Sequence, residues 1–165
     1  MNSGNKREVT VITPTFNRSS ELKEALASVL KQSLPPKEHI ICDNCSEDET
    51  EAVVKAYADE APYRVIYKRE RDTGIYQAMN RGLATANGEF LFILNDDDQF
   101  HGPTVLDRFS ACLSGSGAEF IFGDTVWLDR NTGEKKYRRH NQMNRLTLVQ
   151  KGISQQAILY RKSAF

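Results

Sequence analysis

The segment Glu89-Phe90-Leu91-Phe92-Ile93-Leu94-Asn95-Asp96-Asp97-Asp98 carries five apolar residues, one Asn and then three consecutive acids. It reads as a strand that passes through a core and surfaces among carboxylates. Like charges this close repel one another. A divalent cation is the usual remedy, because hard carboxylate oxygens bind Mg²⁺ or Mn²⁺ and the metal in turn binds phosphates. The other reading is a solvated acidic turn that starts the next helix.

Upstream of this strand, residues 75–86 are expected to form a helix that buries Ile75, Ala78, Met79 and Leu83 and stops at Asn87-Gly88. Tyr63-Arg64-Val65-Ile66-Tyr67 and Glu38-His39-Ile40-Ile41-Cys42 read as strands. Ser46-Glu47-Asp48-Glu49 has capping-box spacing, which predicts a helix over 48–58. Val9-Thr10-Val11-Ile12-Thr13 is β-branched throughout and reads as the first strand, with Pro14 expected to end its ladder. Ser19 or Ser20 is expected to cap the helix that follows. There Leu22, Ala25, Leu26, Val29 and Leu30 share one face, and Pro35-Pro36 stops it.

Downstream, Pro103 opens a helix that buries Val105, Leu106, Phe109 and Leu113. Phe120-Ile121-Phe122-Gly123 reads as a strand. Val126-Trp127-Leu128 and Lys136-Tyr137-Arg138 read as a hairpin turning at Asp129-Arg130-Asn131-Thr132-Gly133. Leu146-Thr147-Leu148-Val149 predicts a short helix and Ala157-Ile158-Leu159-Tyr160 a last strand. Arg161-Lys162-Ser163-Ala164-Phe165 reads as the start of a further element.

Alternating strands and helices predict an α/β fold with a mainly parallel central sheet and helices on both faces, plus the small hairpin. Ligands of such sheets sit outside the carboxyl ends of the strands, near a switch in strand order. The polar clusters 13–18, 43–46 and 95–98 each directly follow a strand, so they are expected to converge on one edge.

The 165 residues suit a single domain with a real core. Hydrophobic residues make up 39% and charged residues 27%, as in soluble globular proteins. No apolar run reaches the ~20 residues of a membrane span. The polar start, Met1-Asn2-Ser3-Gly4-Asn5-Lys6-Arg7-Glu8, has no apolar signal core, and secretion is not expected. Cys42, Cys45 and Cys112 cannot all pair within one chain and are read as reduced, in a cytoplasmic setting. Net charge is zero, but from Arg130 onward Glu134 is the only acid against nine Lys and Arg residues. That stretch is either a solvated face or a peripheral contact to an anionic membrane surface or phosphates. Nucleic acid is the weakest partner, because the basic residues are expected away from the strand-end loops.

Neither G-x-x-x-x-G-K-[ST] nor G-x-G-x-x-G occurs, which argues against a P-loop and a standard dinucleotide fold. Cys42-Asp43-Asn44-Cys45 has redox spacing, but half of it lies in a strand. No second pair completes a zinc site, and Cys112 is expected on an apolar helix face. His39, His101 and His140 lack ligand spacing and are read as structural or surface residues.

Read together, the loops resemble family 2 glycosyltransferases, which have the GT-A fold. Val11-Ile12-Thr13-Pro14-Thr15-Phe16-Asn17-Arg18 resembles the family's opening. Asp43-Asn44-Cys45-Ser46-Glu47-Asp48-Glu49-Thr50 resembles its D-x-x-S-x-D-x-T segment. Asp72-Thr73-Gly74-Ile75-Tyr76-Gln77-Ala78-Met79-Asn80-Arg81-Gly82 resembles D-x-G-I-Y-D-A-M-N-K-G of a bacterial branch that builds surface polysaccharide. Leu94-Asn95-Asp96-Asp97-Asp98 matches L-N-x-D-D, the DxD motif, and Ile153-Ser154-Gln155-Gln156-Ala157 resembles I-x-H-Q-A.

The resemblance implies a metal-dependent, inverting transfer from a nucleotide-sugar, UDP-linked by preference, to a saccharide or polyprenol-linked acceptor. It places Thr13, Pro14, Thr15, Asn17 and Arg18 along the donor nucleotide and Asp43, with Ser46 beside it, at the base. Asp72, Gly74, Tyr76 and Asn80 would border ribose and sugar. Asp96 and Asp97 would contact ribose, sugar or metal-bound water, and Asp98 would ligate Mg²⁺ or Mn²⁺ with Asp96 as the second metal-site residue. Residues 1–100 would form the nucleotide-sugar half and 101–165 the start of the acceptor side. Simpler roles stand beside these: Asp43 shaping a turn, Ser46 and Asp48 capping a helix, Met79 in the core, Tyr76 packed under its loop.

Two departures touch the implied site. Gln77 stands where the branch has an acid, and Gln155 where it has a histidine. The family's catalytic base follows the last strand. It is therefore expected beyond Phe165, and the chain reads as C-terminally truncated. Asp124, Asp129 and Glu134 are poor substitutes for that base. A non-catalytic nucleotide-sugar-binding module is therefore the alternative. A nucleotidyltransferase ranks lower, because residues 14–18 lack a glycine-rich basic loop.

Overall fold

The structure is a computed structural model that describes residues 8–113, 116–140 and 152–165. The helix expected at residues 146–149 lies outside them. Among the described residues eight strands and four α-helices follow in the order β1 (Val9–Thr15), α1 (Ser19–Leu30), β2 (Glu38–Asp43), α2 (Thr50–Glu60), β3 (Arg64–Arg69), α3 (Ile75–Thr85) and β4 (Phe90–Ile93). Then come α4 (Val105–Leu113), β5 (Phe120–Phe122), β6 (Thr125–Leu128), β7 (Lys135–Arg138) and β8 (Ile158–Arg161).

The main sheet has the order β3-β2-β1-β4-β8-β5, and β6-β7 forms a separate hairpin. The first four strands are parallel, while β8 runs antiparallel to β4 and β5. The chain steps from β1 outward to β3, then returns to lay β4 on the other side of β1. The crevice between the carboxyl ends of β1 and β4 is therefore the switch point where ligands bind in such sheets.

Alternation along the strands divides the core between two faces. Val11, Phe90, Phe92 and Leu94 pack with Val29 of α1 and with Leu106 and Leu113 of α4. Ile12, Ile40, Cys42 and Leu91 face Ala78 and Ala86 on the α3 side. Leu22, Leu26, Ile41, Val54 and Tyr57 join α1 and α2 to β2. Gly82 lets α3 sit close, since a Cβ there would run into Ile12 Cγ2.

Several local expectations fail for long-range reasons. Pro14 does not end its ladder: Pro14 and Thr15 still pair with Cys42 and Asp43. Ile12 O accepts from Leu94 on the β4 side, and Thr15 O accepts from Asn44 on the β2 side. Alternation aims the missing donor of Pro14 at the β4 side, where pairing has stopped at Ile12 and Ile93. Neither Ser19 nor Ser20 caps α1 with its side chain. Ser19 N instead donates to Asp48 Oδ2 from the loop after β2. Ser46 does not cap α2, which begins at Thr50. Asp48 Oδ1 takes that work, accepting from Thr50 N at 3.1 Å and Thr50 Oγ1 at 2.6 Å. Desolvation opposes the Asp48 charge, yet bonds from Thr50 and Ser19 outweigh it and hold its pKa at about 2.

Ile75 is exposed rather than buried, and Cys112 is exposed rather than on the apolar face of α4. Met79 is core, as expected. Cys42 is buried, and desolvation pushes its thiol pKa up to about 11, which removes the redox reading of Cys42 and Cys45. After β8, residues Lys162–Ala164 make a single 3₁₀ turn that leads into Phe165. Among the described residues no helix is long and apolar enough to cross a membrane.

Candidate functional site

The three strand-end loops meet at the switch point. Thr15 Oγ1 at the end of β1 donates to Asp96 Oδ2 after β4 at 2.8 Å. Arg18 Nη1 donates to Asp97 Oδ2 at 2.8 Å and stands 3.8 Å from Asp96 Oδ1. The first loop is clasped to the second: Asn17 N donates to Ser46 Oγ, and Glu47 N donates to Asn17 Oδ1, both at 2.8 Å. Asn17 and Cys45 hold positive φ angles of 51° and 56°, backbone strain fixed by this mutual clasp.

Asp43 is fully buried. Its Oδ1 accepts from Ser46 N at 2.9 Å and Ser46 Oγ at 2.5 Å. Its Oδ2 accepts from Tyr67 OH at 2.6 Å, with Arg69 Nε 3.6 Å away. Asp72 belongs to the same edge through Asp72 N donating to Asn44 Oδ1 at 2.7 Å. Asp72 Oδ2 accepts from Arg81 Nη2 at 3.1 Å, and Asp72 Oδ1 accepts from Gly74 N at 3.0 Å. Gly74 itself needs glycine, with φ at 149°. Thr13, by contrast, is buried with its hydroxyl against His39 Nε2. Asn80 is exposed, and Tyr76 is 75% exposed rather than packed under its loop.

Burial raises the pKa of Asp96, against the bond from Thr15 and the charge of Arg18. Burial, then the Asp97 charge, raises that of Asp98, against hydrogen bonds from the Asn95 and Gln156 side chains. Asp98 Oδ2 and Asn95 Oδ1 are buried without a hydrogen-bond partner. The opposite end of the sheet makes the contrast. Glu38 is buried there, but its Oε1 accepts from Thr10 Oγ1 and Asn87 N at 2.9 and 2.6 Å. Glu38 is a satisfied structural acid, whereas Asp98, bonded by the Asn95 and Gln156 side chains, still has one oxygen without a partner.

Among the described residues no three His, Cys, Asp or Glu side chains group as a metal cage. Mg²⁺-type ions need only one or two carboxylates when diphosphate and water complete the shell. The hard, unpartnered Asp98 Oδ2 fits that sparse kind of site, whereas Asp96 already spends one oxygen on Thr15.

A family model described as glycosyl transferase family 2 matches residues 10–165. The chain belongs to glycosyl transferase family 2. A PGL/p-HBAD biosynthesis glycosyltransferase of Mycobacterium bovis is 31% identical over 157 residues, which cover 94% of this chain and 60% of that protein. The putative teichuronic acid biosynthesis glycosyltransferase TuaG of Bacillus subtilis is 36% identical over 130 residues, 78% of this chain and 51% of that one. The chain thus spans 60% or less of the length of these curated relatives. Among solved structures, S. aureus TarS 1–349 in complex with UDP-GlcNAc superposes with a TM-score of 0.73 at 22% identity, over 94% of this chain and 46% of that one. The mannosyltransferase PcManGT from Pyrobaculum calidifontis, in complex with GDP-Man and Mn²⁺, gives 0.61 at 21% identity, over 88% and 47%. The shared architecture is the GT-A fold.

In this family 2 chain both glutamine departures have local work. Gln77 Oε1 accepts from Thr73 N at 2.7 Å, so it reaches back over the start of α3 as a capping-box residue does. Gln155 Nε2 lies 3.5 Å from Met79 Sδ. Phe165 follows the 3₁₀ turn after β8. Its ring is exposed and rests edge-on against Tyr160 of β8, with centroids 5.4 Å apart.

Sequence reading missed Tyr67, Arg69 and Arg81, which fix Asp43 and Asp72 from a neighbouring strand and helix. It also passed over Phe16, whose ring is 51% exposed beside these loops. A large aromatic inside a polar loop was the available signal for Phe16. The basic stretch is nearer the site than expected, since Arg130 and Lys135 line the same cavity as Asp97 and Asp98. Phe165 does not line that cavity.

Proposed function

We propose that this chain is the donor-binding core of a metal-dependent, inverting glycosyltransferase. Its donor is a nucleotide-sugar, UDP-linked by preference, and its acceptor a saccharide or lipid-linked saccharide of surface polysaccharide synthesis. The observation that carries the reading is the unpartnered Asp98 Oδ2 at the β1–β4 switch point, beside the Thr15–Asp96 and Arg18–Asp97 pairs. Residues 1–100 serve the donor and 101–165 begin the acceptor side.

Thr15, Asn17 and Arg18 follow the nucleotide, the buried Thr13 and Pro14 support that loop from behind, and the exposed Phe16 ring offers the base a stacking surface. Asp43 reads a ring N–H, because a carboxylate only accepts. Its Oδ2 accepts from Tyr67 OH in this structure, so reading the base there requires that bond to open. Ser46 keeps the other oxygen fixed. Asp72, Gly74, Tyr76 and Asn80 border ribose and sugar. Asp96 and Asp97 hold Arg18 and the sugar side. Asp98, with Asp96 adjacent, holds Mg²⁺ or Mn²⁺, which when bound offsets charge on the departing diphosphate. The acceptor hydroxyl attacks the anomeric carbon, the bond to the diphosphate oxygen breaks, and the hydroxyl proton passes to a base assigned to no residue up to Phe165. The named activities of the relatives and the UDP-GlcNAc and Mn²⁺ in the neighbours' structures support this reading.

Calorimetry with UDP, with and without Mn²⁺, tests it. Binding that needs Mn²⁺ supports the reading, and UDP binding indifferent to Mn²⁺ overturns the metal role.

A further inference from the structure

The β6–β7 hairpin lies outside the main sheet and carries apolar and basic side chains into solvent together. Trp127, Leu128 and Tyr137 are 65%, 55% and 60% exposed. The register sets Trp127 opposite Lys136, Leu128 opposite Lys135 and Val126 opposite Tyr137. Opposed residues share a face of the ribbon, and successive residues take opposite faces. Each face therefore joins a large apolar side chain to a lysine: Trp127 with Lys136 on one, Leu128 and Tyr137 with Lys135 on the other. Within 125–139 the cations are Arg130, Lys135, Lys136, Arg138 and Arg139, and the acids are Asp129 and Glu134. Asp129 serves its own turn, where its Oδ1 accepts from Asn131 N at 2.8 Å and Thr132 N at 3.1 Å. Glu134 Oε1 stands 4.0 Å from Lys136 Nζ, an exposed pair that solvent screens. Arg130 is held by Glu24 at 3.0 Å, which ties the turn to α1. The whole chain has no net charge, so the positive surplus belongs to the hairpin and orients the molecule towards an anionic surface.

We propose that this hairpin docks on an anionic lipid bilayer, with Trp127, Leu128 and Tyr137 at headgroup depth and the exposed Lys135, Lys136 and Arg139 against lipid phosphates. Neighbouring exposed apolar residues mark protein or membrane contacts. The composition decides between the two. Lysine is depleted from protein interfaces. At a bilayer, by contrast, its stem follows an apolar neighbour inward while its ammonium stays among the phosphates. Trp and Tyr suit the same depth, with an apolar ring and a polar tip. An anionic leaflet attracts each of these cations, and the attraction fades within a Debye length, about 8 Å at physiological salt. The inference does not depend on the donor reading. Docking there brings the cavity that Trp127 shares with Asp97 and Asp98 up to the lipid surface.

Trp127 is the single tryptophan of the chain, so its emission reports on the hairpin directly. The chain is titrated with vesicles of phosphatidylglycerol and phosphatidylcholine and with vesicles of phosphatidylcholine alone, and bound protein is measured by flotation. The expected result is a blue shift with the phosphatidylglycerol vesicles that fades as salt is raised, with little binding to phosphatidylcholine alone. Lys136→Gln combined with Arg139→Gln weakens the partition roughly tenfold or more. Trp127→Ser combined with Tyr137→Ser, followed by flotation, weakens it with every charge in place. Melting temperatures matched to the parent chain show that both variants fold. No shift with phosphatidylglycerol, equal binding to the two vesicles, or binding that survives both variants overturns the proposal. So does a blue shift that grows with protein concentration and needs no vesicles, which makes the occupant a second copy of the chain. UDP binding without flotation removes the bilayer and leaves the donor reading standing, and flotation without UDP binding does the reverse.

Discussion

Asp98 is held partly out of water with one oxygen unpartnered, and burial raises its pKa. A carboxyl whose folded pKa lies above its unfolded value stabilises the fold only while protonated. That contribution is present below the unfolded value, about 3.9, and is lost as pH rises through the folded one. At pH 7 without metal the ionised Asp98 is therefore a cost. Asp98→Asn should raise the melting temperature in EDTA at pH 7, with the gain shrinking as pH falls towards 4. A lower melting temperature would show that the carboxylate is structural. His39 works in the opposite direction. It is buried between Thr13 and Tyr57, and desolvation lowers its pKa to about 3. Its contribution is complete above about pH 6.5 and is lost as pH falls towards the folded value, at up to about 1.4 kcal/mol per pH unit for one proton. Urea titrations across pH 7 to 4 should show that decline, and His39→Gln should flatten it.

At the scale of elements, α1 and the turn after it peg the segment that follows the acid loop. Ser28 Oγ accepts from Phe100 N at 3.1 Å, Gln32 Nε2 donates to Gly102 O at 2.8 Å, and Gln32 Oε1 accepts from Leu106 N at 3.1 Å at the start of α4. Gln32 is buried, so Gln32→Leu leaves the Leu106 N–H unsatisfied and should cost about 1–3 kcal/mol in urea unfolding. A loss below a few tenths would mean that water replaces the peg. Nothing near Gln32 in sequence announces this role, since its partners lie some 70 residues on. The same limit explains the cap errors. Ser19 and Ser46 carry the right local chemistry, but Asp48 reaches α1 across loops, and Asp43 claims Ser46. The elements themselves were legible because β-branched runs and the 3.6-residue spacing of Leu22, Ala25, Leu26 and Val29 are local signals. Pro14 misled because only the neighbouring strand decides which side its missing donor faces.

For the whole molecule, the order β3-β2-β1-β4 brings loops distant in sequence to one crevice. That convergence was readable, because each acidic loop directly follows a strand. The third acid after β4 was visible in the sequence, but its unmet oxygen was not, since satisfaction of a buried atom is a property of packing. Nor was the cavity beside it, which needs β6 and β7 placed opposite the acid loop. The central claim is that Asp98 holds the cation through which this family 2 fold binds its donor diphosphate. Calorimetric titration of UDP into the chain and into Asp98→Ala, each with and without Mn²⁺, tests it most directly. The account predicts Mn²⁺-dependent binding that weakens roughly tenfold or more in Asp98→Ala, about 1.4 kcal/mol or greater. Equal UDP affinity in both proteins with Mn²⁺ present would contradict it.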